Sequence, residues 1–282
     1  MVDYNQMKKD LGGDETTGPM RFAPPSTART IEEQMNALTD EQKECITKLK
    51  SEWEKEDTNG PFSEGMYLRF ARNSPGSYKF NYKAALRVMK KYNRTKYENL
   101  KVVDLEQQLL TKTLFPIPNI TTKEGNHDIF YMRPSRYFPK QTSTEQIIDN
   151  LAYCMSCMLD RNEKSETEGI GFVAYMNDWN MSNFSIDYCF QFMLMLQGRI
   201  PVRVRLFLIV NPPSWFDKIW KIMKMVLRPD FRQKVKMIQE SELHLYLNDN
   251  YEDYLPDDME CGKANTDQMV QDFITYRKYI EK

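Results

Sequence analysis

The residues whose types and spacing carry the most chemical information lie in one segment, PPSWFDKIWKIMKMVLRPDFRQKVKMI, at positions 212–238. At about 100° per residue, its large apolar residues spread over one side of a helix and its lysines over the other. The apolar set is Ile219, Trp220, Ile222, Met223, Val226 and Leu227, and the lysines are Lys218, Lys221 and Lys224. Such an apolar side can cover a hydrocarbon ligand or a protein core, and the cationic side suits an anionic surface.

The positive charge continues beyond Pro229, into what is predicted to be a second, basic helix. Between positions 218 and 236 there are seven basic residues and one acidic residue, whereas the whole chain has a net charge of −1. The basic residues are Lys218, Lys221, Lys224, Arg228, Arg232, Lys234 and Lys236. The nearly neutral net charge of the whole chain argues against a dedicated nucleic-acid binder, and the local excess predicts one anionic partner at one place. The plain alternative is an ordinary surface helix whose lysines are solvated.

Residue sets typical of catalysis or metal binding are missing from the sequence. The chain has two histidines, His127 and His244, and one CxxC pair, Cys154 and Cys157. Positions i and i+3 are neighbours on a helix, so we interpret the two cysteines as small apolar residues on one helix face. A redox pair or half a zinc site is the alternative. Because glycine-rich, Walker and G-x-S-x-G motifs do not occur either, we expect no enzyme, no cofactor and no metal.

Composition predicts a cytoplasmic protein. The 282 residues are 41% hydrophobic, with a mean hydropathy of −0.66. The apolar run at 206–210 is far shorter than the ~20 residues that a membrane-spanning helix needs. The first ten residues, MVDYNQMKKD, contain no apolar stretch of the kind found in secretory signals. The five cysteines form an odd set without disulfide-like spacing, which is consistent with a reducing compartment.

The elements that must position the 212–238 segment are predicted to be a helical module followed by an α/β domain. Residues 1–37 are expected to be a disordered tail because they are rich in Gly, Pro, Thr and charge. The helical module at 38–110 begins with Thr39 as a cap and Gln42 three residues later. The domain at 111–262 has predicted strands at 128–132, 171–176 and 204–210, a candidate short strand at 243–247, and predicted helices at 143–159 and 186–196. A C-terminal helix is predicted at 263–282. Strands that alternate with helices predict a mainly parallel sheet.

Several pieces of sequence match one family pattern, with the spacing between them preserved. The pieces are YLRFAR at 67–72, a helix at 78–89, IPVR at 200–203, LFLIVNP at 206–212, WF at 215–216, MVL at 225–227, QKV at 233–235 and LPDDMECG at 255–262. On these pieces the chain from about residue 64 to 262 resembles the CRAL-TRIO lipid-binding family of phosphatidylinositol/phosphatidylcholine and α-tocopherol transfer proteins. The Val-Arg and Trp-Phe pieces are similar to the non-catalytic amino-terminal domain of the MEG-type tyrosine phosphatase.

The resemblance implies an α/β fold in which a helical N-terminal module precedes a CRAL-TRIO domain, with a mainly parallel sheet flooring an apolar cavity. The segment at 215–227 would be a mobile gate helix, with its apolar side towards a bound lipid and its basic side towards a membrane. Each buried CH₂ group contributes ~0.8 kcal/mol, so a lipid tail in a closed cavity needs a movable cover to enter and leave.

The ligand-binding residues are predicted from the alternation of the strands and from the gate segment. On the strands they are Ile129, Tyr131, Ile170, Phe172, Ala174, Met176, Phe207 and Ile209. On the gate they are Trp215, Phe216, Ile219, Trp220, Ile222, Met223, Val226 and Leu227, and the seven basic residues are expected to meet the headgroup or the membrane. The alternative for any single strand residue is a plain core position under a covering helix.

One departure from the family pattern bears on the ligand. Ile170, Phe172 and Val202 stand where the phosphatidylinositol-binding members have Ser, Thr and Glu, and only Lys234 is retained. Burying an inositol phosphate without polar partners costs several kcal/mol. The remaining choices are a more apolar ligand or an acidic phospholipid held by the surface alone.

Three functions are therefore weighed. The first is lipid binding, with transfer or sensing at a membrane through the basic gate. The second is an adaptor of the same fold that binds a protein partner such as a small GTPase. The third is a binder of an acidic phosphoinositide surface without transfer. We expect a cytoplasmic protein with peripheral membrane association, a lipid ligand and no nucleic-acid partner.

Overall fold

The computed structural model describes residues 4–56, 60–73 and 79–282. The helices that precede the first strand are α1 (Tyr4–Leu11), α2 (Ile31–Asn36), α3 (Asp40–Glu54), α4 (Glu64–Arg72), α5 (Tyr82–Met89), α6 (Arg94–Tyr97) and α7 (Val102–Leu110). They are followed by β1 (Leu114–Thr121), β2 (Asp128–Met132), α8 (Thr144–Arg161), α9 (Glu163–Glu168), β3 (Ile170–Tyr175), α10 (Ile186–Leu194), β4 (Val204–Val210), α11 (Phe216–Val226), α12 (Pro229–Arg232), β5 (Val235–Ile238) and α13 (Thr266–Ile280).

The helical module begins as its cap and its spacing predict. The Thr39 hydroxyl accepts from the Gln42 backbone N–H at 3.3 Å, and the Gln42 side chain accepts from the Thr39 N–H at 3.1 Å. On α3, Ile46, Leu49 and Trp53 are buried on one face, because residues at i, i+3 and i+7 lie on the same side of a helix. The helix expected at 78–89 is α5, and Tyr78 lies outside the described residues.

The predicted mainly parallel sheet is confirmed. Within the described residues the strand order is β1-β2-β3-β4-β5, with β1 antiparallel to β2 and the other neighbouring pairs parallel. Consecutive right-handed crossovers in one direction place α8, α10 and α11 on the same face of the sheet. Contacts of α10 with both α8 and α11 agree with this arrangement.

Two strands differ from the prediction. Strand β1 was missed because it contains Pro116 and Pro118, which a sheet tolerates only at an edge such as this one. The possible strand at 243–247 is wrong, because Glu240–Leu245 forms a 3₁₀ helix and the fifth strand is β5. The predicted basic helix is consequently reduced to α12, and Lys236 is an exposed residue of β5.

The disordered tail expected at 1–37 is not what residues 4–37 show. Met20 and Phe22 are buried in the main hydrophobic core, and the Phe22 ring lies 5.2 Å from that of Phe273 on α13. Arg21 forms an ion pair with Asp272. Met20, Phe22 and Arg21 thus give this mostly polar segment enough contacts to pack on the domain. The prediction failed because it rested on the average composition of the segment.

A buried ion network joins the helical module to the α/β domain. Arg69 and Arg72 on α4 lie 3.5 and 3.6 Å from the carboxylate of Glu166 on α9. Arg69 also pairs with Asp160 on α8. Burial raises the pKa of Glu166, and the two guanidinium groups oppose that shift. The module and the domain are therefore held by matched charges as well as by apolar contacts.

Over residues 4–56, 60–73 and 79–282, no helix has both the length and the apolar character that crossing a bilayer requires.

Candidate functional site

The floor of the candidate site is set by the register of the central strands. Phe172 on β3 pairs with Phe130 on β2 and with Phe207 on β4. The Phe172 ring lies 5.1 Å from that of Phe207, in a stacked arrangement, and 5.3 Å from that of Phe130. Side chains alternate between the two faces of a strand, so Met132, Ala174 and Ile209, two residues further along, continue the same face.

The predicted ligand-facing positions on β2 are wrong. Ile129 pairs with Gly171 and Tyr131 pairs with Val173, which puts both on the opposite face of the sheet. There the Tyr131 hydroxyl donates to Asp258 at 2.7 Å. Every residue of β2 is buried, so alternation defines two faces without indicating which one meets the cavity.

Helices α10 and α11 roof a cavity above this floor. Its volume is about 50 Å³, within about 550 Å³ of space that no atom occupies when the open mouth is included. The lining residues are Met132, Pro134, Tyr137, Ala174, Met176, Trp179, Asn183, Ser185, Tyr188, Cys189, Phe192, Met193, Phe207, Ile209, Phe216 and Met223. None of these described lining residues carries a charge, so the cavity is suited to an uncharged, largely apolar group.

The strand residues predicted for the site divide into two groups. Ala174, Met176, Phe207 and Ile209 line the cavity. Ile170 and Phe172 lie on the same strand face but belong to the packed core beside the cavity. There the Phe172 ring packs edge-to-face on Phe192 of α10, with 6.2 Å between ring centroids.

The gate segment forms α11, and its side chains divide among three environments. Phe216 and Met223 line the cavity, and Leu227, just beyond the helix, is buried. Trp215, Ile219 and Trp220 are half-buried. Ile222, Met225 and Val226 are exposed, with Met225 reaching 83%. The three lysines of the helix, Lys218, Lys221 and Lys224, are exposed as well. Ile222 and Val226, predicted to face the ligand, therefore point away from the cavity.

The two ends of α11 are attached in different ways. At the N-terminal end, Trp215 packs on Trp179 with 4.6 Å between ring centroids, and the Phe216 ring centroid lies 5.7 Å from that of Trp179. At the C-terminal end, the Gln197 side chain donates to the Val226 carbonyl at 3.3 Å and accepts from the Arg228 N–H at 2.7 Å. In the middle of the helix, Met223 is buried, and Ile219 and Trp220 are half-buried against the core.

Comparison with known proteins agrees with the fold described above. A family model described as the CRAL/TRIO domain matches residues 117–260, which is more than half of the chain. The chain belongs to the CRAL/TRIO family.

Individual relatives of this CRAL/TRIO chain are distant. Tyrosine-protein phosphatase non-receptor type 9 of Homo sapiens is 23% identical over 218 residues, which are 74% of this chain and 36% of that protein. The proteins of the same name from Mus musculus and Rattus norvegicus match equally well, so the chain spans 36% of the length of these relatives. The crystal structure of Sfh5 covers 86% of this chain and 99% of its own, with a TM-score of 0.52 and 14% identity. The predicted family resemblance is confirmed, and the Sfh5 likeness concerns the fold alone.

The CRAL/TRIO domain has a second recess, which is cationic and lies near the start of β4. Its charged lining residues are Arg203, Arg228 and Lys234, which we call the cationic recess. Burial lowers the pKa of the Lys234 ammonium; Arg205, Arg203 and Arg228 lower it further, against Asp230. The predicted headgroup residues are thus split, because Lys218, Lys221 and Lys224 lie on α11 while Arg228 and Lys234 lie here.

The substitution Lys234→Gln is expected to stabilise the fold. The folded state holds the Lys234 pKa below that of the unfolded chain, so the unfolded chain binds more protons and stability rises with pH in the alkaline range. At neutral pH Lys234 is charged, so the wild type carries the full free-energy cost of burying its ammonium group. Removing this cost should raise the free energy of unfolding by less than about 1 kcal/mol, since the side chain is only half-buried and solvent screens it.

Urea unfolding at about pH 7 and about pH 10 measures this effect, and the gain should shrink at the higher pH. Lys236→Gln, at the exposed position two residues later on β5, is the matched control and should change nothing. A Lys234→Gln variant less stable than the wild type at neutral pH would contradict the sign.

Several cavity residues were not predicted. Trp179 follows β3, and Tyr188, Cys189, Phe192 and Met193 come from α10. The helix was predicted, and its continuous apolar stretch was the available signal. On β2, Met132 takes the place of the wrongly chosen Tyr131.

The CxxC pair lies inside α8, where Cys154 and Cys157 are both buried, as the helix-face interpretation predicts. Burial raises the pKa of the Cys157 thiol to about 12, and it also raises the pKa of the Cys154 thiol. Thiols that stay protonated make poor nucleophiles and metal ligands. Among the described residues, no three His, Cys, Asp or Glu side chains converge as a metal site.

Proposed function

We propose that this CRAL/TRIO domain binds a lipid in the cavity under α11 and exchanges it at anionic membranes, with α11 as the moving lid and with no catalytic step. One observation carries the proposal. Phe216 and Met223 of α11 close an apolar cavity, while the outer surface of the same helix combines exposed apolar side chains with three lysines. In the cell, the protein would work in the cytoplasm as a peripheral visitor to membranes.

The size of the cavity supports a lid that moves. Sites for small organic ligands measure about 300–1,000 Å³, and the volume enclosed here is about 50 Å³. Because the floor belongs to the central strands of the sheet, the roof is the part that can yield. A lipid tail is accommodated when α11 swings outward and its two cavity-facing side chains leave the floor.

The outer surface of α11 has the composition of a membrane-docking helix. Ile222, Met225 and Val226 offer apolar area to the acyl region, and each CH₂ group buried there contributes about 0.8 kcal/mol. The lysines lie beside them, where they can meet anionic headgroups. Contact with a membrane would draw the exposed apolar side chains outward and thereby favour the open lid.

Native mass spectrometry of protein purified from cells tests the binding step, and we expect a stoichiometric lipid. Exchange is tested by following a fluorescent lipid from donor to acceptor vesicles. Protein that neither retains a lipid nor speeds its movement between vesicles would contradict the proposal. Capture of a protein partner that depends on α11 but not on vesicles would instead favour the adaptor function.

Gln197→Ala is expected to speed lipid exchange about tenfold. The substitution removes the two hydrogen bonds that hold the C-terminal end of α11. Each bond contributes about 0.5–1.5 kcal/mol to the closed lid, so the open lid should become about tenfold more populated. The vesicle assay measures the rate. Gln191→Ala is the matched control, because Gln191 on α10 accepts from Arg199 and not from the lid. An unchanged or slower rate in Gln197→Ala would show that the lid does not limit exchange.

A second candidate function, binding of an anionic headgroup without transfer, is favoured by the cationic recess. The depressed pKa of Lys234 means that its positive charge lacks sufficient compensation within the chain, and a phosphate would supply it. This function predicts that Lys234→Gln weakens binding to phosphoinositide vesicles while lipid retention in the cavity is unaffected.

A further inference from the structure

Two side chains that line the cavity carry hydrogen-bond donors with no partner among the described residues. The donors are the hydroxyl of Tyr188 and the indole N–H of Trp179. The two side chains are 7% and 6% exposed, so bulk water does not serve them. A buried donor without a partner costs about as much free energy as a lost hydrogen bond.

The amide and hydroxyl side chains elsewhere in the wall, those of Asn183, Ser185 and Tyr137, have hydrogen-bond partners. The Asn183 amide donates to the carbonyls of Ser135 at 2.8 Å and Tyr137 at 3.0 Å, and the Ser185 hydroxyl accepts from the Tyr188 N–H at 3.2 Å. Tyr137 is hydrogen-bonded to the side chains of Thr144 and Ser185. The two unpartnered donors are therefore particular to Tyr188 and Trp179.

The charge of the cavity restricts what these donors can receive. Within the described part of the chain no Lys, Arg or His lines it, so a carboxylate or phosphate would be buried without a counter-charge, at a large cost. Burial raises the pKa of Tyr188 well above its usual value, which keeps its hydroxyl protonated and able to donate. The ligand group must therefore be uncharged and must accept hydrogen bonds. A neutral acceptor oxygen meets both conditions.

We infer that the ligand of this cavity is a lipid with a neutral acceptor oxygen, such as an ester, ketone or ether, that enters the cavity and accepts from Tyr188 and Trp179. This inference rests on the proposed function. It excludes a plain hydrocarbon and an ionised fatty acid as preferred ligands, and it assigns a polar anchor to a site whose lining is otherwise apolar.

A competition between two matched probes tests the inference. Vesicles of phosphatidylcholine and phosphatidylserine are loaded with equal amounts of a long-chain methyl ketone and the n-alkane of the same chain length. After incubation, protein is separated from vesicles by flotation, and the bound probes are quantified by gas chromatography–mass spectrometry. The ratio of bound ketone to bound alkane does not depend on how much of the protein is folded.

Tyr188→Phe is expected to lower this ratio about threefold to tenfold, the effect of one hydrogen bond. Trp179→Phe removes the other donor and should act in the same direction. Tyr276→Phe is the control, because this buried tyrosine of α13 lies outside the cavity and should leave the ratio unchanged.

The outcomes separate this inference from the proposed function. A ratio that falls in both cavity variants and holds in the control supports the acceptor-bearing ligand. Extraction of both probes with the same ratio in all proteins would overturn the inference, because a buried water would then accept the hydrogen bonds of both donors. Lipid binding itself would still stand. Failure to extract either probe would overturn both.

Discussion

Met223→Glu is expected to abolish lipid retention while the rest of the domain stays folded. Met223 is buried and lines the cavity from the middle of α11. An ionised carboxylate in an uncharged cavity costs several kcal/mol, so the lid would remain outward and the amount of retained lipid should fall at least tenfold. Quantification of lipid extracted from purified protein measures the loss, and circular dichroism checks the fold.

Met225→Glu provides the matched comparison for this experiment. It makes the same chemical change two residues later on the same helix, at a side chain that is 83% exposed. This variant should retain its lipid, because its carboxylate stays in water, but should dock less well on anionic vesicles. Equal lipid content in the two variants would mean that α11 does not close the binding site.

Replacing Lys218, Lys221 and Lys224 together by Gln is expected to weaken binding to anionic vesicles about a hundredfold. All three lysines are exposed on α11. A basic residue near an anionic surface contributes about 1 kcal/mol, so three contribute about 3 kcal/mol, which corresponds to roughly a hundredfold in affinity. Vesicle sedimentation with increasing phosphatidylserine content measures the effect.

The triple change Lys43/Lys83/Lys91→Gln tests whether the effect is local. These lysines are exposed in the helical module, and their loss changes the net charge by the same amount. They should matter little, and raised salt should abolish the difference between the two triple variants by screening. If both triple variants bind alike in low salt, α11 is not the docking surface.

The elements of the fold could be predicted from the sequence more fully than their contacts. The strands at 128–132 and 204–210 and the parallel sheet follow from apolar runs that alternate with helices. Strand β1 could not be predicted by the same signal, because its prolines are tolerated only through its edge position. Strand β5 is four residues long and carries a lysine, so its pairing with β4 identifies it and its composition does not.

The candidate site was predicted in part, for a related reason. Phe216 and Met223 were found because α11 has one solvent-exposed face, which orients its pattern. On β2 both faces are buried. Burial therefore does not show whether Tyr131 or Met132 faces the cavity. Trp179 and Tyr188 reach the cavity from separate elements, and the sequence alone does not show that both side chains line one cavity.

The ion network of Arg69, Arg72 and Glu166 has a consequence for where the functional unit begins. The family model starts at residue 117, but both arginines come from α4, about fifty residues earlier, and face a carboxylate inside the matched region. Removing one partner of a buried pair costs about 3–5 kcal/mol, comparable to the entire stability margin of a small domain. A fragment cut at the family boundary would keep Glu166 and lose both of its counter-ions. The smallest stable piece of this protein is therefore expected to include α4, which lies outside the range of the family model.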